Sequence, residues 1–131
     1  MHITEILVVD SDPAHRTGIE GALLRAGYRV DRIPHDTAVA HISREDMSRY
    51  AATVVALTDE PSTLSDTYRL GEYVLHYLAQ LCPEVLPRVV VVARSEELAA
   101  TATPVGRVLI EPVTDAELLA EVRACQLRNG S

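Results

Sequence analysis

The sequence predicts an α/β domain in which helices cover both faces of a five-stranded parallel sheet. Five apolar runs stand at regular intervals, and a helical pattern follows each of them. The chain has 131 residues, enough for one domain with one core, and 47% of them are apolar. We therefore predict a single domain over residues 1–131, with a core at about 4–127 and a disordered tail at 128–131.

Each apolar run predicts one strand. The second run alternates apolar and polar residues, which is typical of a strand solvated on one face. The third and fourth runs are continuous and rich in β-branched residues, which is typical of strands buried on both faces. The predicted strands cover residues 5–9, 28–33, 53–57, 88–93 and 107–110.

Helical patterns connect these strands and follow the last one. Gly27 should stop the first helix, and Pro83 should end the third. Thr114 with Glu117 three residues later forms a capping box that opens the final helix. We expect Gly18 and Ala26 to lie on the face of the first helix that packs against the sheet, its inward stripe. The earlier helices are predicted over residues 14–26, 37–48 (weaker), 64–82 and 95–101 (short).

Strands that are joined through helices must run parallel, with right-handed crossovers. Two buried central runs and a one-sided second strand favour the flavodoxin-like strand order 2-1-3-4-5, in a three-layer αβα arrangement. In such sheets function gathers at the carboxyl ends of the strands. The candidate site is therefore expected at the carboxyl ends of the first, third, fourth and fifth predicted strands, which begin at residues 5, 53, 88 and 107.

Composition excludes several classes of function. A net charge of −7 argues against direct nucleic-acid binding, which needs a basic surface, and against docking on anionic lipid. All 12 basic residues are Arg, so no mechanism can use a lysine ammonium group. No apolar run approaches the length of a membrane span, and the N-terminus lacks the basic region of a signal peptide. We expect a cytoplasmic protein in which Cys82 and Cys125 are reduced thiols at the core.

Two segments carry a resemblance to a known family. "ILVVDSDPAHRTGIEGALLRAGYRV" and "VLIEPVTDAELLAEVRA" resemble the receiver domain of bacterial two-component response regulators, the CheY-like superfamily. The resemblance covers about residues 4 to 127. It implies two adjacent acids that hold Mg²⁺, an Asp after strand 3 that accepts phosphate, a Thr or Ser after strand 4, and a Lys before a cis-Pro.

The chain departs from that pattern at most of these positions. Asp10 matches the first acid, but Ser11 replaces the second, with Asp12 beside it. The acceptor position, counted back from the loop proline Pro61, falls on Leu57.

The remaining two positions also differ. The hydroxyl position falls on Ala93, and the lysine position on Glu111, with Pro112 retained. A carboxylate at 111 repels a phosphoryl group where an ammonium would attract it. We therefore interpret the chain as an atypical receiver, or pseudo-receiver, that signals without phosphorylation. It would be no enzyme, and it would act by contact with a protein partner or as a homodimer.

Three alternatives stay open. Asp59 could accept a phosphoryl group in a shifted loop, with Arg94 as the cation. Asp10, Asp12 and Asp59, with Glu111, could instead bind Mg²⁺ or Ca²⁺ through hard oxygen ligands. The same acids could also serve only to cap a helix, accept backbone N–H groups or lie solvated in loops, in which case no cofactor is bound.

A different class of function follows from "DSDPA" after a hydrophobic strand. This segment also resembles the start of the haloacid-dehalogenase phosphatase signature, in which Asp10 would be the nucleophile and Asp12 the acid/base. A lone DxD is weak support, and the chain is short for that fold. The five histidines are scattered, which favours surface or helix-face positions.

Two surfaces are candidates for partner binding. Receivers generally signal through the face formed by their fourth helix, fifth strand and fifth helix, which here would present Arg94, Val108 and Leu119. We expect this face to be rearranged around residues 94–106. The third helix offers another surface, since Tyr73 and Tyr77, with Leu70 and Leu81, broaden its apolar side.

Overall fold

The computed structural model describes residues 4–10, 16–35, 38, 47, 49–57, 70–102, 105 and 107–130. Strands and helices alternate in the predicted order. The strands are β1 (Glu5–Val9), β2 (Arg29–Ile33), β3 (Ala52–Leu57), β4 (Val89–Ala93) and β5 (Arg107–Ile110). The α-helices are α1 (Gly21–Arg25), α2 (Leu70–Leu81), α3 (Glu96–Ala99) and α4 (Asp115–Gly130).

The five strands form one parallel sheet in the order β2-β1-β3-β4-β5, as predicted. The central strands β3 and β4 are buried along their whole length, whereas every residue of β2 and β5 keeps some exposure. These two are the edge strands, which explains why the sequence runs at 28–33 and 107–110 are the less uniformly apolar ones.

The core lies on both faces of the sheet, because side chains alternate along each strand. On the first face Leu7, Val55 and Val91 pack in a cluster with α2 and α3. On the second face, Ile6 and Val54 pack in a cluster with α1 and α4. The fold is therefore a three-layer αβα sandwich, and the two clusters fix which residues reach the strand ends.

The first helix differs from its prediction. A π-helical turn, Arg16–Glu20, precedes the five-residue helix α1. Gly18 and Ala26 are exposed rather than inward, because the wider turn changes the helical phase and α1 ends at Arg25. Gly27 stops the helix as predicted, with a φ of 92° that glycine tolerates best.

The connections between β2 and β3 and between β3 and β4 agree with their predictions in the part that the structure describes. Ala38 and Met47 are helical and buried. A 3₁₀ helix that the sequence did not predict, Pro83–Arg88, leads from α2 into β4. The expected inward stripe of the third helix is buried throughout, at Gly71, Val74, Leu75, Leu78 and Cys82.

The last helix begins with the predicted capping box. Thr114 Oγ1 accepts a hydrogen bond from the Glu117 N–H at 3.1 Å, and Glu117 Oε1 accepts one from the Thr114 N–H at 3.2 Å. The helix runs to Gly130, so residues 128–130, expected in a disordered tail, are helical instead.

Two smaller expectations concern the cysteines and the membrane. Cys82 and Cys125 are both buried and form no disulfide bond with each other, as predicted. In the part of the chain that the structure describes, every helix falls short of the length and apolar character that a bilayer crossing demands.

Candidate functional site

The candidate site is the carboxyl edge of the sheet, where backbone pairing continues one residue beyond the strands. The N–H of Asp10 donates to the Ile33 carbonyl at 3.0 Å, and the N–H of Glu111 donates to the Ala93 carbonyl at 2.9 Å. These bonds hold the residues that follow β1 and β5 in line with the sheet. The Asp10 residue is 1% exposed, so this acid lies inside the edge rather than on its surface.

Two residues at the ends of the central strands are apolar core residues. Leu57 ends β3, Ala93 ends β4, and the two are register partners. Leu57 is 1% exposed and Ala93 is fully buried, and both belong to the cluster on the first face. Neither offers a nucleophile or a hydroxyl, and their burial leaves little room for water at these two positions.

At the end of β5, a carboxylate pairs with an arginine. The Arg94 Nε atom lies 3.9 Å from Glu111 Oε2, and both side chains are partly exposed. The Glu111–Pro112 peptide bond is cis, which matches the resemblance drawn from the sequence. The sequence analysis considered Arg94 as a cation for Asp59; in the structure its described ionic neighbour is Glu111.

Several predicted site residues lie outside the described part of the chain, namely Ser11, Asp12 and Asp59. Among the described residues, no three His, Cys, Asp or Glu side chains come close enough to hold a metal ion. The strands β1 and β5 are three strand spacings apart, roughly 14 Å. Asp10 and Glu111 therefore start from distant backbone positions, and a metal shared by them would need both side chains to reach across β3 and β4.

The sequence analysis missed one buried polar residue near this edge. His35 is 1% exposed, and its Nε2 lies 2.7 Å from the Ala56 carbonyl. Since a carbonyl only accepts, Nε2 carries the proton and donates. Of the two placements expected for histidines, the surface one does not apply to His35, because this helical residue turns its side chain into the protein. A helix start at Pro34 would have revealed it, since His35 then shares a face with Ala38.

A cavity of about 520 Å³ opens beside the end of β5, between the π-helical turn before α1 and the start of α4, and we call it the edge cavity. Its described acidic residues are Glu111 and Asp115, and Asp115 pairs with Arg25 at 2.8 Å. Ile19, Val92 and Leu118 supply apolar wall. The edge thus combines a mixed-polarity hollow with the Glu111–Arg94 pair.

The residues predicted to form interfaces do not make one continuous surface with shared packing. The Tyr73 and Tyr77 rings lie 6.3 Å apart on α2, half-buried. Val108 packs against the cluster on the first face and Leu119 against that on the second, also half-buried. Arg94 is exposed. The large apolar side chains that are exposed among the described residues are Leu24, Leu81 and Ile110.

Comparison with known proteins identifies the fold. No model of a protein family matches the sequence, and a search of curated proteins finds no match. A response regulator receiver protein from Sinorhizobium medicae is 19% identical, with a TM-score of 0.72 over 97% of each chain. A CheY-like response regulator receiver domain protein from Methanospirillum hungatei is 18% identical, with a TM-score of 0.70 over 98% of each chain.

A third similar structure is a longer protein. NtrX from Brucella abortus is 21% identical with a TM-score of 0.74, and the match covers 98% of this chain and 28% of that one. At such identities the likeness establishes architecture only. Together with the strand order and the two-faced core, it shows that this chain has the CheY-like receiver-domain fold.

Proposed function

We propose that this chain is a receiver-like domain of two-component-type signalling that acts by binding a protein and accepts no phosphoryl group. The single observation that carries the proposal is Leu57, a buried core residue at the end of β3. The resemblance places the phosphate acceptor at this position. A leucine has no atom that can attack phosphorus, and its burial under α2 denies a phosphoryl donor access.

The electrostatics at β5 support the same proposal. Glu111 precedes the cis proline at the position where the resemblance implies a lysine. A phosphoryl group at this edge would meet a carboxylate instead of an ammonium group, and two negative charges at short range in a partly desolvated site repel each other strongly. The sequence contains no Lys that could substitute.

We also propose that the domain is not an enzyme. The haloacid-dehalogenase interpretation needs Asp10 as an accessible nucleophile, whereas this residue is 1% exposed. The net charge of the whole chain, −7, favours a protein partner over nucleic acid or anionic lipid. If this proposal is right, the protein with Mg²⁺ hydrolyses an aryl phosphate such as p-nitrophenyl phosphate no faster than buffer does, and turnover that Asp10→Asn abolishes would contradict it.

For the binding surface we propose the end of β5. Ile110 is 41% exposed on an edge strand, and the Arg94–Glu111 pair lies next to it. An exposed apolar side chain bordered by an ion pair resembles the core and rim of a protein interface. The occupant is a partner protein or a second copy of the chain, and light scattering across a concentration series distinguishes them. With either occupant, Ile110→Asp weakens the association. Leu24→Asp, on the exposed side of α1, leaves the association unchanged.

The experiment that tests phosphorylation uses the whole chain. It is incubated with acetyl phosphate and Mg²⁺ and its intact mass is measured, with a receiver of known activity treated in parallel. We expect no gain of a phosphoryl group on this chain, and no spectral change with beryllofluoride. A mass gain that Asp59→Asn abolishes would overturn the proposal and would establish a phosphorylated receiver that uses Asp59.

A further inference from the structure

A second cavity lies on the first face of the sheet, between α2 and the strands β1, β2 and β3, with Ala38 and Met47 also in its lining. Its volume is about 350 Å³, and we call it the inner cavity. Leu7, Val9, Val74 and Leu78 form apolar wall, and all four are buried. The lining also includes the exposed residue Arg49, so the cavity is open to solvent at one end and a small molecule can enter it.

The inner cavity has one polar end, built by three residues that bond to one another. The Tyr50 hydroxyl donates to Asp31 Oδ2 at 2.8 Å. Arg49 Nη2 donates to the same Oδ2 at 3.3 Å and to the Tyr50 hydroxyl at 2.6 Å. Tyr50 is only 6% exposed, whereas the Arg49 and Asp31 side chains are 56% and 35% exposed, so the polar end lies where the cavity meets solvent.

The floor of the inner cavity carries a second polar group. Asp31, Leu7 and Thr53 are register partners across β2, β1 and β3, so they lie in one row on the same face of the sheet. Thr53 is 4% exposed and is the polar residue in a strand whose other members are all apolar. Thr53 therefore adds a hydroxyl to the floor of the cavity, beside the apolar wall.

The charges decide which head group fits. An anionic ligand would gain Arg49 but would meet the Asp31 carboxylate, and a cationic ligand would gain Asp31 but would meet the Arg49 guanidinium. A neutral hydroxyl avoids both conflicts, because it donates to a carboxylate and accepts from a guanidinium or phenol. The polar end thus favours an uncharged group that both donates and accepts.

The volume of the inner cavity limits the size of the ligand that it can hold. An apolar cavity of about 150 Å³ accommodates benzene, with its six heavy atoms, so the inner cavity scales to a molecule of about 14 heavy atoms. We propose that the inner cavity is a binding site for a small, largely apolar, uncharged molecule with one hydroxyl-like head group, seated between Asp31, Arg49 and Tyr50. This site does not depend on the proposed signalling function, since it shares no lining residue with the edge cavity.

Three probes with the same tail and different heads test the proposal: 1-octanol, octanoate and octylammonium. Each is titrated into the whole chain while the melting temperature and the methyl resonances are followed. We expect saturable binding of 1-octanol, about tenfold or more tighter than that of either charged probe. The shifted methyl groups should be those of Leu7, Val74 and Leu78.

Charge variants sharpen the test, because they should change the preference rather than abolish binding. Asp31→Asn removes the nearer of the two carboxylates beside Arg49, while Glu5 remains at 3.8 Å, so the preference should shift towards octanoate. Arg49→Gln leaves Asp31, so octylammonium should become preferred. The matched controls are Asp115→Asn and Arg25→Gln, which remove an exposed ion pair of the same chemistry elsewhere. These controls should keep the preference for 1-octanol.

Several results would overturn the proposal. One is that none of the three probes binds saturably. Another is equal binding of all three, since that would mean that the polar end makes no selection. Methyl shifts at Val92 and Leu118 would place the probe in the edge cavity instead. An unchanged preference in both Asp31→Asn and Arg49→Gln would likewise contradict it.

Discussion

Leu57 and Ala93 lie side by side as register partners at the ends of β3 and β4. Both belong to the apolar cluster beneath α2. We expect Leu57→Asp to lower the free energy of unfolding by roughly 4 kcal/mol, because it places a charge in a site with no compensating partner on a neighbouring strand. Leu57→Met, which conserves volume, should cost less than about 1.5 kcal/mol.

Urea denaturation of the two variants checks this prediction. It also bears on the proposed function, because a phosphate acceptor must reach solvent and the residue in its place should then tolerate a carboxylate. If Leu57→Asp were as stable as Leu57→Met, the position would be solvated, and the burial argument against phosphorylation would fail.

Gly71 lies at the start of α2 where the helix meets the end of β3. A Cβ atom there would overlap the Ala56 carbonyl oxygen and lie 2.6 Å from a methyl carbon of Leu57. Because the carbonyl belongs to a central strand and cannot move aside, we expect Gly71→Ala to destabilise the protein by roughly 2 kcal/mol.

The matched control for this prediction is Gly18→Ala. A Cβ atom at Gly18 meets nothing within 4 Å, and this glycine has no positive φ. Its replacement should be neutral or stabilising by less than about 1 kcal/mol. Equal melting temperatures for the two variants would show that α2 can shift away from β3, against the close approach seen here.

The strands could be predicted from the sequence because their signals are local. β1 and β5 begin and end at the predicted residues, since short apolar runs with β-branched residues have few alternatives in an α/β chain. The Thr114–Glu117 capping box and the stop at Gly27 are also local, each being set by residue types a few positions apart.

The features that the sequence could not reveal depend on the phase of a helix and on contacts between residues that are far apart in the sequence. The π-helical turn before α1 shifts Gly18 outward, and an apolar stripe with a period of 3.6 residues cannot show such a shift. The Tyr50–Asp31 hydrogen bond joins a loop residue to a strand residue 19 positions away. At the carboxyl edge, the types of residue at 57, 93 and 111 were readable, whereas their burial and the ion pair between Arg94 and Glu111 required coordinates.

His35 anchors the residues after β2 to the end of β3 through its hydrogen bond to the Ala56 carbonyl. We expect His35→Ala to lower the free energy of unfolding by roughly 3 kcal/mol, because it leaves a cavity and a carbonyl without this donor. His35→Phe keeps the ring volume but removes the donor, so it should cost about 1–3 kcal/mol.

Chemical denaturation measures both variants against His76→Ala. The His76 side chain is exposed on α2, beside Gln80 at 3.1 Å, so its truncation should change stability by less than about 0.5 kcal/mol. Comparable losses for His35→Ala and His76→Ala would mean that the buried placement of His35 contributes nothing.

Tyr50 gives the protein a dependence on alkaline pH. Burial of the phenol raises its pKa above the ordinary value of 10.0, and the hydrogen bond to Asp31 raises it further, while Arg49 opposes this shift. Above pH 10 the unfolded chain therefore loses the phenolic proton that the folded chain still holds. The folded state binds more protons in that range, so stability is complete below about pH 10 and falls as pH rises towards the raised pKa.

Tyr50→Phe removes this titrating group, so its free energy of unfolding should fall less steeply above pH 10 than that of the unaltered protein. Urea denaturation at a series of pH values from neutral to alkaline measures both slopes. The variant starts lower at neutral pH, because it lacks the hydrogen bond to Asp31, and the two curves should converge as pH rises. Parallel curves above pH 10 would show that the Tyr50 phenol ionises alike in the folded and unfolded chains, which would contradict the raised pKa of the buried phenol.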